Sequence, residues 1–370
     1  MASSSSSASS SAAAVVLCIW LCSFSSSSRC HGAPTVVPAL YVLGDSLTDV
    51  GNNNHLHLSL IKADFPHNGV DYAGREATGR FSNGKNSADF IAEKLGLPPS
   101  PPYLSLSHAS NSVGTFLSGV NFASGGAGVL NSTHRDKCLS MNKQIDYYAS
   151  VYGSIVQQLG SYKAQAHLSN SIFALSIGSN DILGYVRSSS SNKLKHTPQT
   201  FIDSLASSLQ QQLRRIYNLG ARKYVFIGGG PIGCCPALRH DNRTRECNVE
   251  ANHLSVEYNK RASSLLQQMS IELSDMSYSF FDTYNALLEF INNPDTYGFV
   301  EVKSACCGLG KLKARVACIP ISSYCSNRRN HIFWDMYHPT EATYEKLTIT
   351  AFDGSVPYVY PINIKQLVAM

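Results

Sequence analysis

The sequence predicts an α/β protein in which helices cover a parallel sheet. Three observations carry this. Short apolar runs alternate with stretches of helical length and pattern between residues 36 and 290. Most of those runs end in glycine or a small polar turn, as strands do when they feed a helix. The composition of the 370 residues, 44% hydrophobic and 15% charged, is globular and supplies enough apolar mass for one large core.

The elements follow in order. Residues 36–43 are an apolar run ending in Gly-Asp, and residues 86–97, "NSADFIAEKLGL", place Phe90, Ile91 and Leu95 on one helical face. Residues 118–126, "SGVNFASGG", form a short strand running into glycine, and residues 171–181, "SIFALSIGSND", form another. Residues 200–220 are a long amphipathic helix with a glycine stop. The next strand is residues 222–233, followed by a helix at 249–273 and a strand merging into a helix at 277–290. The Pro/Ser-rich residues 97–112 and the polar residues 186–199 are expected to be exposed loops. In a parallel sheet of this kind ligands bind at the carboxyl ends of the strands. Ser46, Gly125-Gly126, Asn180 and Gly228–Gly230 all follow apolar runs, so they should crowd one edge.

The termini and cysteines point to the secretory pathway. Residues 1–32 are expected to be a cleaved signal peptide, with an apolar stretch at 12–24 and small residues near Cys30-His31-Gly32-Ala33, although the usual basic start is missing. Residues 33–370 would then be a single domain. Eight of the 11 cysteines lie beyond the signal: Cys138, Cys234, Cys235, Cys247, Cys306, Cys307, Cys318 and Cys325. Adjacent cysteines chelate one metal poorly and no CxxC pair is present, so disulfides are expected rather than zinc. Asn131 and Asn242 begin N-glycosylation sequons. The ending "KQLVAM" is not an ER-retention signal, which leaves extracellular space (apoplast and cell wall) or Golgi lumen as destinations. After residue 24 no apolar run is long enough to span a membrane. The mild charge of +5 forms no basic block, so nucleic acid is not an expected partner.

The chemistry lies at the strand ends. Serine is a weak nucleophile until a base takes its proton. "YVLGDSLTDVGNNN" places Ser46 between a strand and an amide-rich turn, and "FWDMYHPT" places Asp335 three residues before His338, close enough for a carboxylate to hold an imidazole tautomer. Acyl transfer also needs donors for an oxyanion. The glycines of "NFASGGAGV" and the Asn180 amide of "IGSND" can supply them, though each alone also reads as an ordinary turn. Asp45 is read as a hydrogen-bonding residue of the turn, and Arg80 and Phe81 of "GRFSNG" as scaffolding beside the cleft. Gly228–Gly233 matches G-x-G-x-x-G, but the loop-like "CCPALRHDNRTREC" follows where a phosphate-binding helix would have to begin, so nucleotide binding is rejected.

These blocks, in this order, resemble the plant-type branch of the GDSL esterase/lipase (SGNH hydrolase) family over nearly the whole chain after the signal. "GARKYVFIGGGPIGCCP" and "ACCG" add to the match. The resemblance implies a three-layer α/β/α fold, flavodoxin-like, with a central mostly parallel sheet. It implies Ser46 as nucleophile, His338 as base and then acid, and Asp335 as its orienter. The implied oxyanion hole comprises the amides of Ser46 and Gly126, with Gly125 the fallback, and the Asn180 side chain. It implies no cofactor or metal, an ester substrate, and a monomer. Whether that substrate is a lipid or cutin-type ester or an acetylated wall polysaccharide such as xylan stays open, and so does a rival reading as a non-catalytic binder of wall glycans or lipids. "GCCP" departs from the family, where one cysteine is commoner. The expected pairs are Cys234–Cys247 and Cys306 and Cys307 with Cys318 and Cys325, leaving Cys138 and Cys235 to pair or stay free.

Overall fold

Strand β1 (Leu40–Gly44) carries five residues, all buried, and so do β2 (Ile172–Ser176) and β3 (Lys223–Ile227). Successive side chains of a strand point to opposite faces, so a strand buried throughout is covered on both sides. In this computed structural model, which describes residues 37–106 and 112–370, helices supply that cover and give the three-layer α/β/α arrangement. Residues Thr35–Met370 cluster as one compact unit. The expected signal segment lies outside the described residues.

The sheet runs β1-β2-β3, then β4 (Ser277–Phe281), all parallel, and closes with a short antiparallel edge strand, β5 (Val359–Pro361). The strand expected at 118–126 is not a full ladder. Residues 120–124 run beside β1 and make three bonds to it, from the Val42 amide to the Val120 carbonyl and from the Phe122 and Ser124 amides to the Val42 and Gly44 carbonyls, at 2.8–3.1 Å. The only bridge assigned between them is Val42 to Asn121, because Asn121 also pairs with Pro102 on its other side. Counting this segment, the chain steps to one side of β1 and then returns to the other. Such a reversal opens a crevice above β1 and β2, where open α/β sheets bind ligands.

The helices start where the sequence supplies caps. Asn86 and Asp89 form a reciprocal capping box for α1 (Ser87–Lys94). Ser140 caps α2 (Met141–Leu159), and Thr197 with Pro198 opens α4 (Pro198–Asn218). Between them, α3 (Ser179–Val186) follows β2 directly. Asn248 caps α5 (Val249–Glu272), α6 is Thr283–Asn292, and Thr340 caps α7 (Glu341–Asp353).

Three expectations are corrected. The loop expected at 97–112 holds a single helical turn at Tyr103–Leu106 and the start of another helix at Ser112–Phe116. That expected at 186–199 holds a short helix at Ser190–Lys195. The stretch after Gly233 also turns into a helix, Pro236–Asp241, since proline is well tolerated at a first helical position.

Candidate active site

Strand β1 delivers Ser46 to the crevice. Gln144 of α2 clamps the strand end: its carbonyl accepts from the Gly44 amide at 2.8 Å, and its amide donates to the Gly44 and Leu139 carbonyls at 2.8 and 2.9 Å. The Asp45 amide donates to the Ser176 carbonyl at 3.0 Å, so Ser46 leaves the sheet from a fixed point beside β2.

The partner arrives from the far end of the chain. His338 Nε2 lies 2.7 Å from Ser46 Oγ, and its Nδ1 lies 2.7 and 2.8 Å from the two oxygens of Asp335. Asp335 Oδ1 also accepts the Tyr337 and His338 amides, each at 2.8 Å. Burial raises the cost of charge on Asp335, yet the imidazole and these amides hold its pKa below the ordinary carboxylate value. An ionised carboxylate only accepts, so the proton sits on Nδ1 and Nε2 is left to accept from the serine.

The loop carrying this pair is fastened from behind. The Cys306 and Cys307 amides donate to the Phe333 and Trp334 carbonyls at 2.9 and 2.6 Å, and the Trp334 amide donates to the His338 carbonyl at 2.8 Å. Trp334 is fully buried among Cys306, Cys307 and Cys318, and its indole N–H donates to Asn68 Oδ1 at 3.0 Å. The disulfides are Cys306–Cys325, Cys307–Cys318 and Cys234–Cys247, with Cys138 and Cys235 free. The zinc alternative is thereby removed, because all four clustered sulfurs are bonded to one another in pairs.

The candidate oxyanion donors meet at the same place. Ser46, Gly126 and Asn180 line one cavity. The Gly125 amide is already bonded to Asp49 Oδ2 at 2.9 Å, whereas the amides of Ser46 and Gly126 have no acceptor among the described residues. Gly126 needs its lack of a side chain: φ is +87°, and a Cβ there would lie 2.6 Å from Ile61 Cδ1. Asn180 is the second residue of α3, which starts after Gly178 at φ +113°, and it gives one amide hydrogen to the Ala127 carbonyl at 2.9 Å, leaving the second for the cavity.

Several supporting residues escaped the sequence reading. Asp181 accepts from the Val129 and Leu130 amides at 2.8 and 3.1 Å and from Thr133 Oγ1 at 2.6 Å, which ties the glycine turn to the helix of Asn180. The acid after Asn180 in "GSND" was the available signal. The Nδ1–H of His134 donates to the Gly126 carbonyl at 2.8 Å. Phe81 lies against His338, with ring centroids 4.9 Å apart and planes tilted by 35°, and its neighbour Arg80 forms a buried bidentate pair with Asp89 at 2.7 Å, so "GRFSNG" is scaffolding that reaches the imidazole itself.

Asp45 does not touch the imidazole nitrogen that Asp335 holds. Its Oδ1 accepts the Leu47 amide at 3.0 Å, and Oδ2 is buried without a protein partner. Burial pushes its pKa up to about 7, against the weaker pull of that amide and of His338. Asp49 is pushed up to about 6 by burial, moderated by the amides of Gly51, Gly125 and Asn52. Burial also drives the free Cys235 thiol up to about 11.

The cavity above Ser46 has a volume of about 330 Å³. Its wall is mainly apolar, with Ile91, Ile227, Phe281, Leu287, Leu347 and Ala351 among the lining residues. Arg187, which donates to the Tyr337 hydroxyl at 2.5 Å, also lines it. Of the two sequons, Asn131 is exposed two residues before Thr133, which bonds to Asp181, and Asn242 Oδ1 accepts from Thr244 Oγ1 at 3.0 Å.

Comparison with known proteins identifies the family. The family model for GDSL-like lipase/acylhydrolase matches residues 40–349. An Arabidopsis thaliana GDSL esterase/lipase is 42% identical over 355 residues, covering 94% of this chain and 94% of the relative. A second from the same plant is 40% identical over 333 residues, covering 89% of this chain and 92% of the relative, and a third is 36% identical over 340 residues, 90% and 91%. With strand order, motif spacing and these relatives in agreement, the chain belongs to the GDSL-like lipase/acylhydrolase family and is an ester hydrolase.

Proposed function

We propose that the protein is a secreted serine hydrolase that cleaves carboxylic esters through an acyl-enzyme, with the acyl chain of a lipid-type ester in its apolar cavity. The observation that carries this reading is the unbroken contact from Ser46 Oγ through His338 to Asp335, each step 2.7–2.8 Å. His338 Nε2 takes the hydroxyl proton as Ser46 attacks the carbonyl. The tetrahedral oxyanion is held by the amides of Ser46 and Gly126 and by the remaining Asn180 N–H. His338 returns the proton to the departing alcohol, and water then repeats the sequence on the acyl-enzyme. A glycan or lipid binder without catalysis would have no use for a primed serine.

The cavity favours a chain over an acetyl group. An acetyl has one methyl to bury, whereas each further methylene placed against this wall gains about 0.8 kcal/mol. Three disulfides suit an oxidising compartment, whether outside the cell or in the Golgi lumen. The sequons at Asn131 and Asn242 are proposed glycan sites, and no cofactor enters the scheme.

The test compares wild type with Ser46→Ala on p-nitrophenyl esters of increasing chain length and on acetylated xylan. The wild type should react with a fluorophosphonate probe, and kcat/KM should climb with chain length until the cavity is full. The variant should do neither. A variant as active as wild type removes Ser46 as the nucleophile, and a preference for acetylated xylan reverses the substrate class.

A further inference from the structure

The turn at residues 56–61 holds two leucines in water beside the mouth of the cavity. Leu58 is 84% exposed, and Leu60, at 94%, is the most exposed large apolar side chain among the described residues. Single exposed leucines are ordinary. These two are set apart by their spacing, their rigidity and their position. Ser59 between them is buried, at 4% exposure, so the leucines are the outward pair of an alternating segment. The backbone is pinned: the Ser59 amide donates to the Leu56 carbonyl at 3.1 Å, the Ile61 amide to Ser59 Oγ at 3.1 Å, and Asn53 Nδ2 to the Ile61 carbonyl at 2.7 Å. The leucines cannot fold away without breaking those bonds.

The next residue, Ile61, lines the catalytic cavity and packs against Gly126. The apolar tip is therefore continuous with the entrance. Beside Gly126 also stands His134, followed by the exposed Arg135, Asp136 and Lys137, of which Arg135 and Lys137 make no ion pair among the described residues. Lys62, next to Ile61, is half-buried and donates to the Asn54 carbonyl at 3.3 Å, so its charge is turned to the backbone. The rim thus combines an apolar tip with one flank on which Arg135 and Lys137 outnumber Asp136, a pattern that suits a lipid–water interface carrying negative charge.

We propose that Leu58 and Leu60 dock the enzyme on the surface of a lipid aggregate, with Arg135 and Lys137 facing its headgroups, so that an ester can pass from the aggregate into the cavity. This rests on the lipid-ester reading of the site. The leucines touch no reacting group, so their role is delivery.

The experiment uses the full mature chain and the double variant Leu58→Ser/Leu60→Ser, which replaces only exposed side chains. Co-flotation with vesicles of phosphatidylcholine containing a minority of phosphatidylglycerol reads binding. Hydrolysis of emulsified tricaprylin and of dissolved p-nitrophenyl butyrate reads delivery and chemistry separately. The wild type should float with the vesicles, and the variant should lose flotation and emulsion turnover by about tenfold or more while keeping its rate on the dissolved ester. Wild type that stays in the dense fraction, a variant that floats equally well, or parallel loss of both rates would overturn the proposal. So would flotation of neither protein with wild type dimeric and the variant monomeric, which assigns the tip to a second copy. Absence of turnover on the dissolved ester in wild type would instead strike the hydrolase reading.

Discussion

At Asn180 one amide hydrogen is already committed to the Ala127 carbonyl, which aims the other. Replacing the side chain removes a donor set before substrate arrives. Asn180→Ala should lower kcat by about 10² to 10³ with little change in KM, since the missing bond is made chiefly in the transition state. Steady-state kinetics on a dissolved ester measure the split, and a rise in KM at constant kcat would mean that the amide binds ground-state substrate. Asp45 carries the sharpest dependence on pH. Burial lifts its pKa from 3.8 to about 7, so folding favours the protonated form. Its contribution to stability is complete below the unfolded value and is lost as pH rises through the folded one. Asp335 has the opposite sign, because its lowered pKa stabilises the fold at neutral pH and is lost on acidification. Asp45→Asn should therefore lose less Tm than wild type between about pH 4 and pH 8, and equal losses would refute the assignment. Ser46, His338 and Asp335 were legible because they stand in two short motifs, GDS after an apolar run and DxxH near the other end of the chain, and the structure brings those motifs together. Gln144, Asp49 and Asp181 were not. A buried polar group bonded to the backbone of a distant segment has no local signature.

The element that matters most is the loop of residues 334–338. It has no helix or strand of its own, yet it must hold an imidazole within hydrogen-bonding reach of a serine from another element. Two disulfides and the buried Trp334 do this from behind. Cys307→Ser with Cys318→Ser should cost about 2 to 4 kcal/mol of stability. It should also lower kcat, because Cys307 anchors the Trp334 carbonyl one residue before Asp335. Calorimetry and kinetics on the same preparation test both, and unchanged kcat would mean that the loop's hydrogen bonds suffice to hold it. The cysteine pairs were expected beside the family resemblance, but not which of Cys306 and Cys307 takes which partner, since adjacent residues are equivalent in sequence and differ only in the direction their side chains leave the chain. The glycine turn at 124–128 was legible as a donor, but the commitment of the Gly125 amide to Asp49 was not.

Across the whole molecule, alternation of apolar runs with capped helices was enough to read the sheet and the edge at which its strands end. The misreadings sit where the period is short or interrupted. β5 is three residues long and ends in proline, too brief to show alternation. The segment at 120–124 is shared between β1 and Pro102, so its bonding is not that of a simple strand. Short helices at Ser190–Lys195 and Pro236–Asp241 lie in polar or proline-led stretches where local composition resembles a loop. The distance in sequence between Ser46 and His338, joined at 2.7 Å, also bears on synthesis. For most of the time a ribosome spends making this chain, the serine has been translated and its base has not. On the proposed roles of Ser46 and His338, a nascent or truncated product would be an inert alcohol and hydrolytic power would switch on only when the last elements fold home, which would make turnover itself a gauge of finished chains.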